Sequence, residues 1–186
     1  MTSKNDYATH TLRNRITDLG QAAIHLARAL GADRVIAAGH NEKRLAALGE
    51  SADGTVLLAT DPTEFATRLG KTGGPVDVVI DSLWGPYAPS ALAALRTGGR
   101  YVNLGQSAGA EGVVNAALLR HAKLKMTGVS GSSLSPEQSA AAYSQVADFA
   151  AAGKLNLAIE SYPLDEIGAA WSAQAASPGR KITLRP

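Results

Sequence analysis

Gly39-His40-Asn41-Glu42-Lys43-Arg44 follows a short apolar run, Arg34-Val-Ile-Ala-Ala38, and sets a glycine beside an imidazole, an amide and cationic side chains. Where a strand of a parallel sheet hands over to a helix, such a group can receive a phosphate, because glycine leaves the backbone open and cations supply the charge. A dinucleotide site for NAD carries an acid at this point for the ribose 2′-hydroxyl, whereas one for NADP carries cationic and small polar groups for the 2′-phosphate. Here Gly39 stands where the acid would be, with His40, Asn41, Lys43 and Arg44 close behind. The same stretch also reads as a solvated helix start with incidental charge, and the loop alone leaves both readings open.

Three later loops combine glycine with hydroxyl or amide groups: Asp81-Ser82-Leu83-Trp84-Gly85, Gly105-Gln106-Ser107 and Ser130-Gly131-Ser132-Ser133. Each permits close backbone approach to a ligand, and each taken singly is also a plain turn. No residue is assigned a catalytic role. His25 and His121 fall within helical stretches as surface or packing residues, Trp171 reads as a core anchor, and there is no GxSxG nucleophile signature. The absence of cysteine excludes a disulfide framework, a Cys-based zinc site and a thiol nucleophile. The four histidines form no HxxxH pair, so no metal site is expected.

The elements that must position these loops alternate regularly. Helical period covers Asp18–Ala32, with Gly20, Ala23, Ile24, Ala27 and Leu30 on one face. Strand-like runs at 34–38, 55–59, 76–80, 101–104 and 124–129 alternate with helices at 42–48, from Asp61-Pro62, 88–96, 113–121 and 136–152. This is the pattern of βαβ units and a parallel sheet covered on both faces, with ligands at the carboxyl ends of the strands. Residues 157–186 differ: a strand near Ile159, a helix over 164–176, a Pro178-Gly179 turn and a last strand at 181–184.

The composition, 45% hydrophobic and 18% charged with a mean hydropathy of -0.04, is that of a globular chain. At 186 residues one domain is the natural count, and it needs no metal or disulfide staple. The net charge of +2 comes from interspersed residues and gives no argument for nucleic acid. Neither a membrane span nor a signal peptide is legible, so a cytoplasmic location is expected.

From about Leu19 to Pro186 the chain resembles the cofactor-binding half of a medium-chain dehydrogenase/reductase, in the branch of quinone oxidoreductases and zinc-type alcohol dehydrogenase-like proteins. The residues that carry the likeness are Gly20 to Ala32, Arg34 to Ala38, Val76 to Asp81, Leu92 through Gly105, and the ending Glu160-Ser-Tyr-Pro-Leu-Asp-Glu-Ile-Gly-Ala-Ala-Trp171 that closes on Gly179-Arg-Lys-Ile-Thr-Leu. The resemblance implies a Rossmann-like, doubly wound sheet of about six parallel strands in the order 3-2-1-4-5-6. It also implies NADP(H) as cofactor, with weak binding expected from the altered glycine loop; no zinc is expected from the cysteine and histidine content. The binding residues expected are Gly20, Gly39, His40, Asn41, Arg44, Asp81, Leu83, Gly105, Gln106, Ser107, Ser130, Gly131 and Ser132. A homodimer is expected through the edge strand near Leu124–Val129, and residues 157–186 form a tail that would pack on a catalytic domain.

The chain departs from the family at its start. The chain is expected to lack the family's N-terminal GroES-like catalytic domain, and a separate catalytic-domain chain is an expected partner. Counting back from Gly20, the last glycine of the family's loop, the earlier glycine positions hold Asn14 and Thr17, and the strand position holds His10-Thr-Leu-Arg13. A central parallel strand should be nearly continuous in apolar residues, so an altered or missing first strand is expected. Asp18 would place its carboxylate at the helix N-terminus that should receive the phosphate. Residues 1–18 therefore read as an atypical segment, as though a truncation or reading-frame change had replaced the family's sequence before Leu19. Two functional readings follow: an NADP(H)-dependent reductase of the quinone, enone or carbonyl type, and a non-catalytic nucleotide-binding or dimerisation module.

Overall fold

The computed structural model describes residues 9–13, 18–58, 61–176 and 179–186, with the side chains of 9–13, 18, 62 and 63 left out of the description. Six parallel strands form one sheet in the order β3-β2-β1-β4-β5-β6. They are β1 (Thr9–Arg13), β2 (Arg34–Gly39), β3 (Gly54–Leu57), β4 (Val76–Asp81), β5 (Leu95–Asn103) and β6 (Lys125–Gly128). The connecting helices are α1 (Asp18–Ala29), α2 (Glu42–Ala46), α3 (Pro62–Lys71), α4 (Ala88–Ala93) and α5 (Ala116–His121). Beyond the sheet lie α6 (Pro136–Ala151), β7 (Ile159–Pro163), α7 (Ile167–Ala175) and β8 (Lys181–Arg185), with β7 and β8 paired parallel in a small sheet of their own.

Strand β2 shows why the sheet is covered twice. Ile36 and Ala38 join one buried cluster with Phe65, Leu69, Val79, Leu92 and Tyr101, while Val35 and Ala37 join a second with Ile24, Ala27 and Leu45. Alternate side chains leave opposite faces of a strand, so a run of five buried residues requires helices on both sides.

The first strand, expected to be altered or missing, is present at the centre of the sheet with its altered sequence. Residues 9–13 pair with Arg34–Ala38 of β2, and His10–Arg13 pair with Val78–Asp81 of β4. The buried strands on either side both present backbone groups toward this gap, and a strand between them satisfies those groups whatever its side-chain pattern. Residues 14–17, which hold the altered glycine positions Asn14 and Thr17, lie outside the described residues, as does Pro178.

Several element boundaries also shift. The helix expected over 88–96 ends at Ala93, because Leu95 already pairs with Val76 and the register then slips so that Arg100 faces Val78. The helix expected from Val113 starts at Ala116, where the Asn115 side chain accepts the N–H groups of Ala117 and Leu118 at 2.9 and 3.1 Å. Trp171 is not a core anchor: it is 76% exposed while its neighbour Ala170 is buried. Among the described residues nothing covers the Trp171 side chain, and Ile159, Leu164 and Ile167 are exposed as well.

Candidate functional site

All six strands of the main sheet point the same way, so their carboxyl ends lie along one rim. The chain leaves β1 toward β2 and β3 on one side and crosses back to β4 on the other. In open α/β sheets this reversal of strand order opens the crevice where ligands bind. The predicted loops all fall on this rim: 39–41 after β2, 81–83 after β4, 105–107 after β5 and 130–132 after β6. Gly20 is buried in the first turn of α1, next to the same rim.

At the end of β2, Gly39 is buried and His40 is exposed. The His40 ring meets the buried Tyr87 edge-on, centroids 5.5 Å apart, and Tyr87 is braced in turn by Phe65 at 6.1 Å. Asn41 is the N-cap of α2, its Oδ1 accepting the Arg44 N–H at 3.1 Å. Its side-chain oxygen is therefore committed to holding the helix start. The Arg44 side chain is half-buried and runs beside Gly179.

The loops after β4 and β5 form one unit. Leu104 N–H donates to the Asp81 carbonyl at 2.7 Å, Ser107 donates to the Ser82 carbonyl through N–H and Oγ, both at 3.2 Å, and Ala108 N–H donates to the Leu83 carbonyl at 2.8 Å. Asn103 Nδ2 donates to the Gly105 carbonyl at 2.8 Å. The structure thus brings Asp81, Leu83, Gly105, Gln106 and Ser107 together. The Asp81 carboxylate is fully buried and accepts the N–H groups of Leu83 and Trp84 at 2.9 and 3.0 Å, together with the Tyr101 hydroxyl. Its task is to shape the turn. Trp84, at φ 56°, leads into Gly85 at φ 59°, where an added Cβ would stand 2.8 Å from the Ala108 carbonyl oxygen. Only glycine suits that backbone and that contact.

The turn after β6 lies outermost and satisfies its own hydroxyls. Ser130 and Ser132 share a hydrogen bond of 2.8 Å between their Oγ atoms, and Ser133 Oγ donates to the Ser130 carbonyl at 2.6 Å. Tyr101 and Asn103 went unnoticed in the sequence because both sit within a strand, and their partners are set by the register of β5 on β4. Among the described residues no group of three or more His, Asp or Glu side chains comes together as a metal site requires, and the sequence holds no cysteine.

A doubly wound parallel sheet with its polar and glycine-bearing loops gathered at the switch-point rim defines a Rossmann-type cofactor-binding domain. The family described as zinc-binding dehydrogenase matches residues 19–152, and the chain belongs to that family. The spectinabilin polyketide synthase system protein NorB of Streptomyces orinoci is 39% identical over 89 residues, which span 48% of this chain and 4% of that protein. A mycobacterial quinone oxidoreductase shares the fold with a TM-score of 0.83 at 21% identity, over 96% of this chain and 56% of its own. The Escherichia coli quinone oxidoreductase complexed with NADPH gives 0.75 at 22% identity, over 96% and 57%. The chain therefore spans about half the length of these structures and a small part of the polyketide synthase.

Proposed function

We propose that the chain is the cofactor-binding part of a cytoplasmic NADP(H)-dependent reductase acting on a quinone, enone or carbonyl compound. The observation that carries the reading is the end of β2, where Gly39 occupies the position of the acid that an NAD site would use, followed by His40, Asn41 and Arg44. The Escherichia coli quinone oxidoreductase of the same fold, whose structure is described as complexed with NADPH, supports it.

In this reading Arg44 and His40 meet the 2′-phosphate, and the buried Gly39 leaves room for the ribose. The joined loops 81–85 and 104–108 bound the far end of the crevice, where backbone and amide groups orient the nicotinamide. NADPH supplies the hydride when bound, so the chain needs no strong base of its own. A catalytic domain on a separate chain or segment supplies the wall that holds the substrate. The test is a fluorescence titration with NADPH and NADH, followed by quinone-dependent NADPH oxidation with and without such a domain. Tighter binding of NADPH supports the reading, and equal or absent binding of both cofactors contradicts it.

The exposed edge of β6 favours a second reading. Lys125–Gly128 are all exposed and, among the described residues, pair only with β5. A dimerisation module without activity of its own would use that edge. NADPH binding with no oxidation in the presence of a catalytic domain would select it.

A further inference from the structure

A groove of ≈ 450 Å³ runs between α1 and α2 and is bordered by residues 156–158 ahead of β7 and by Gly179 ahead of β8. Its apolar lining is Ile24, Ala47, Leu48 and Ala158, and its polar lining includes His25, Arg44, Ser51 and Asn156. No Asp or Glu lines it. Among the described residues, none of these four polar side chains has a hydrogen-bond or carboxylate partner. The Gln21 amide is engaged, donating from Nε2 to the Gly179 carbonyl at 2.6 Å, and this bond ties the tail to α1. Gly179, at φ 75°, lies so close to Arg44 that an added Cβ would stand 3.2 Å from Nε. The bare backbone lets the Arg44 side chain pass over it along the groove.

We propose that this groove binds a small organic anion, with its carboxylate or phosphate-ester head on Arg44 and His25 and its apolar body on Ile24, Ala47 and Leu48. The guanidinium presents a planar fork of donors that matches either head group, and half-burial makes the pairing stronger than at an open surface. Free donors on a concave, partly apolar lining are the general form of a small-molecule site. The site shares Arg44 with the proposed cofactor position but does not depend on it.

The test uses the full chain labelled with nitrogen-15 and follows the backbone amides of Ala47, Ser51 and Asn156. Hexanoate and hexyl phosphate are titrated in parallel with hexanol and inorganic phosphate. One or both of the amphiphilic anions should shift these amides saturably, and the tighter of the two identifies the head group. Hexanol and inorganic phosphate should bind at least about tenfold more weakly. Arg44→Gln should weaken binding by a similar factor, and Ala47→Phe, a filling change at an exposed position, should abolish it. Hexanol equal to hexanoate overturns the anion, inorganic phosphate equal to hexyl phosphate overturns the apolar part, and no saturable shift with either amphiphile overturns the site. Loss of NADPH binding while hexanoate still saturates would count against the cofactor reading alone.

Discussion

Tyr101 on β5 donates its hydroxyl hydrogen to the carboxylate of Asp81 at the end of β4, and this bond anchors the turn that carries Leu83 and Trp84. The phenol is fully buried, packed edge-on against Trp84 with ring centroids 5.9 Å apart. Tyr101→Phe keeps the ring and removes the donor to a buried carboxylate. The expected loss of stability is about 1.5–3 kcal/mol, read from urea denaturation midpoints at constant slope. A change within error would mean that the two N–H donors suffice.

Gly85→Ala tests the same turn from its backbone. A side chain at φ 59° is strained and would press on the Ala108 carbonyl. The expected cost is about 2 kcal/mol or more. Thermal unfolding of this variant close to that of the parent would show that the loops after β4 and β5 can separate freely.

Acid should loosen the β2 end of the sheet. Burial works to raise the Asp53 carboxyl, but the Val35 N–H and the Arg28 guanidinium outweigh it and hold the group below its unperturbed value of 3.8. A carboxyl depressed in the folded state contributes stability that is present above its unfolded pKa and is lost as pH falls through the folded one. Stability should thus decline on acidification below 3.8, and Asp53→Asn should be less stable at neutral pH with a flatter profile in that acidic range. Parallel profiles for the two proteins would remove Asp53 from the account.

Association is expected through β6. Met126 is 38% exposed on an edge strand whose outer backbone groups have no partner strand among the described residues. Two-fold pairing of such edges is a closed arrangement for two copies. Light scattering should report a dimer, and Met126→Pro should give monomers by removing a ladder donor. A stable monomer of the parent protein at high micromolar concentration, or an unchanged dimer of the variant, would place the interface elsewhere or nowhere.

Much of the fold was legible in the sequence. The apolar run Val35–Ala38 and the valine-rich Val76–Val79, broken only by Asp77, announced buried strands because both their faces are covered, and the polar loops between elements fell on one rim because the sheet is parallel. The polar strand at 9–13 was harder, since its place is fixed by backbone pairing with two neighbours, which side-chain periodicity does not encode. Trp171 misled for a related reason: a helix face looks apolar whether or not anything in the chain covers it. Asp81 is expected at the site from its loop, yet its three donors come from residues up to 20 positions away, one of them buried in another strand, which no local pattern shows. The groove beside Arg44 joins residues near the start of the chain to residues near its end, a juxtaposition that no local pattern could reveal.

The central claim is that the end of β2 selects NADP(H). The most direct measurement is the affinity of Arg44→Ala for NADPH and for NADH, compared with the parent chain by cofactor fluorescence. A charge-assisted contact to the 2′-phosphate is worth roughly 1.5–3 kcal/mol, so NADPH binding should weaken by about tenfold to a hundredfold while NADH binding stays almost unchanged. Equal loss for both cofactors, or no loss for either, would contradict the account.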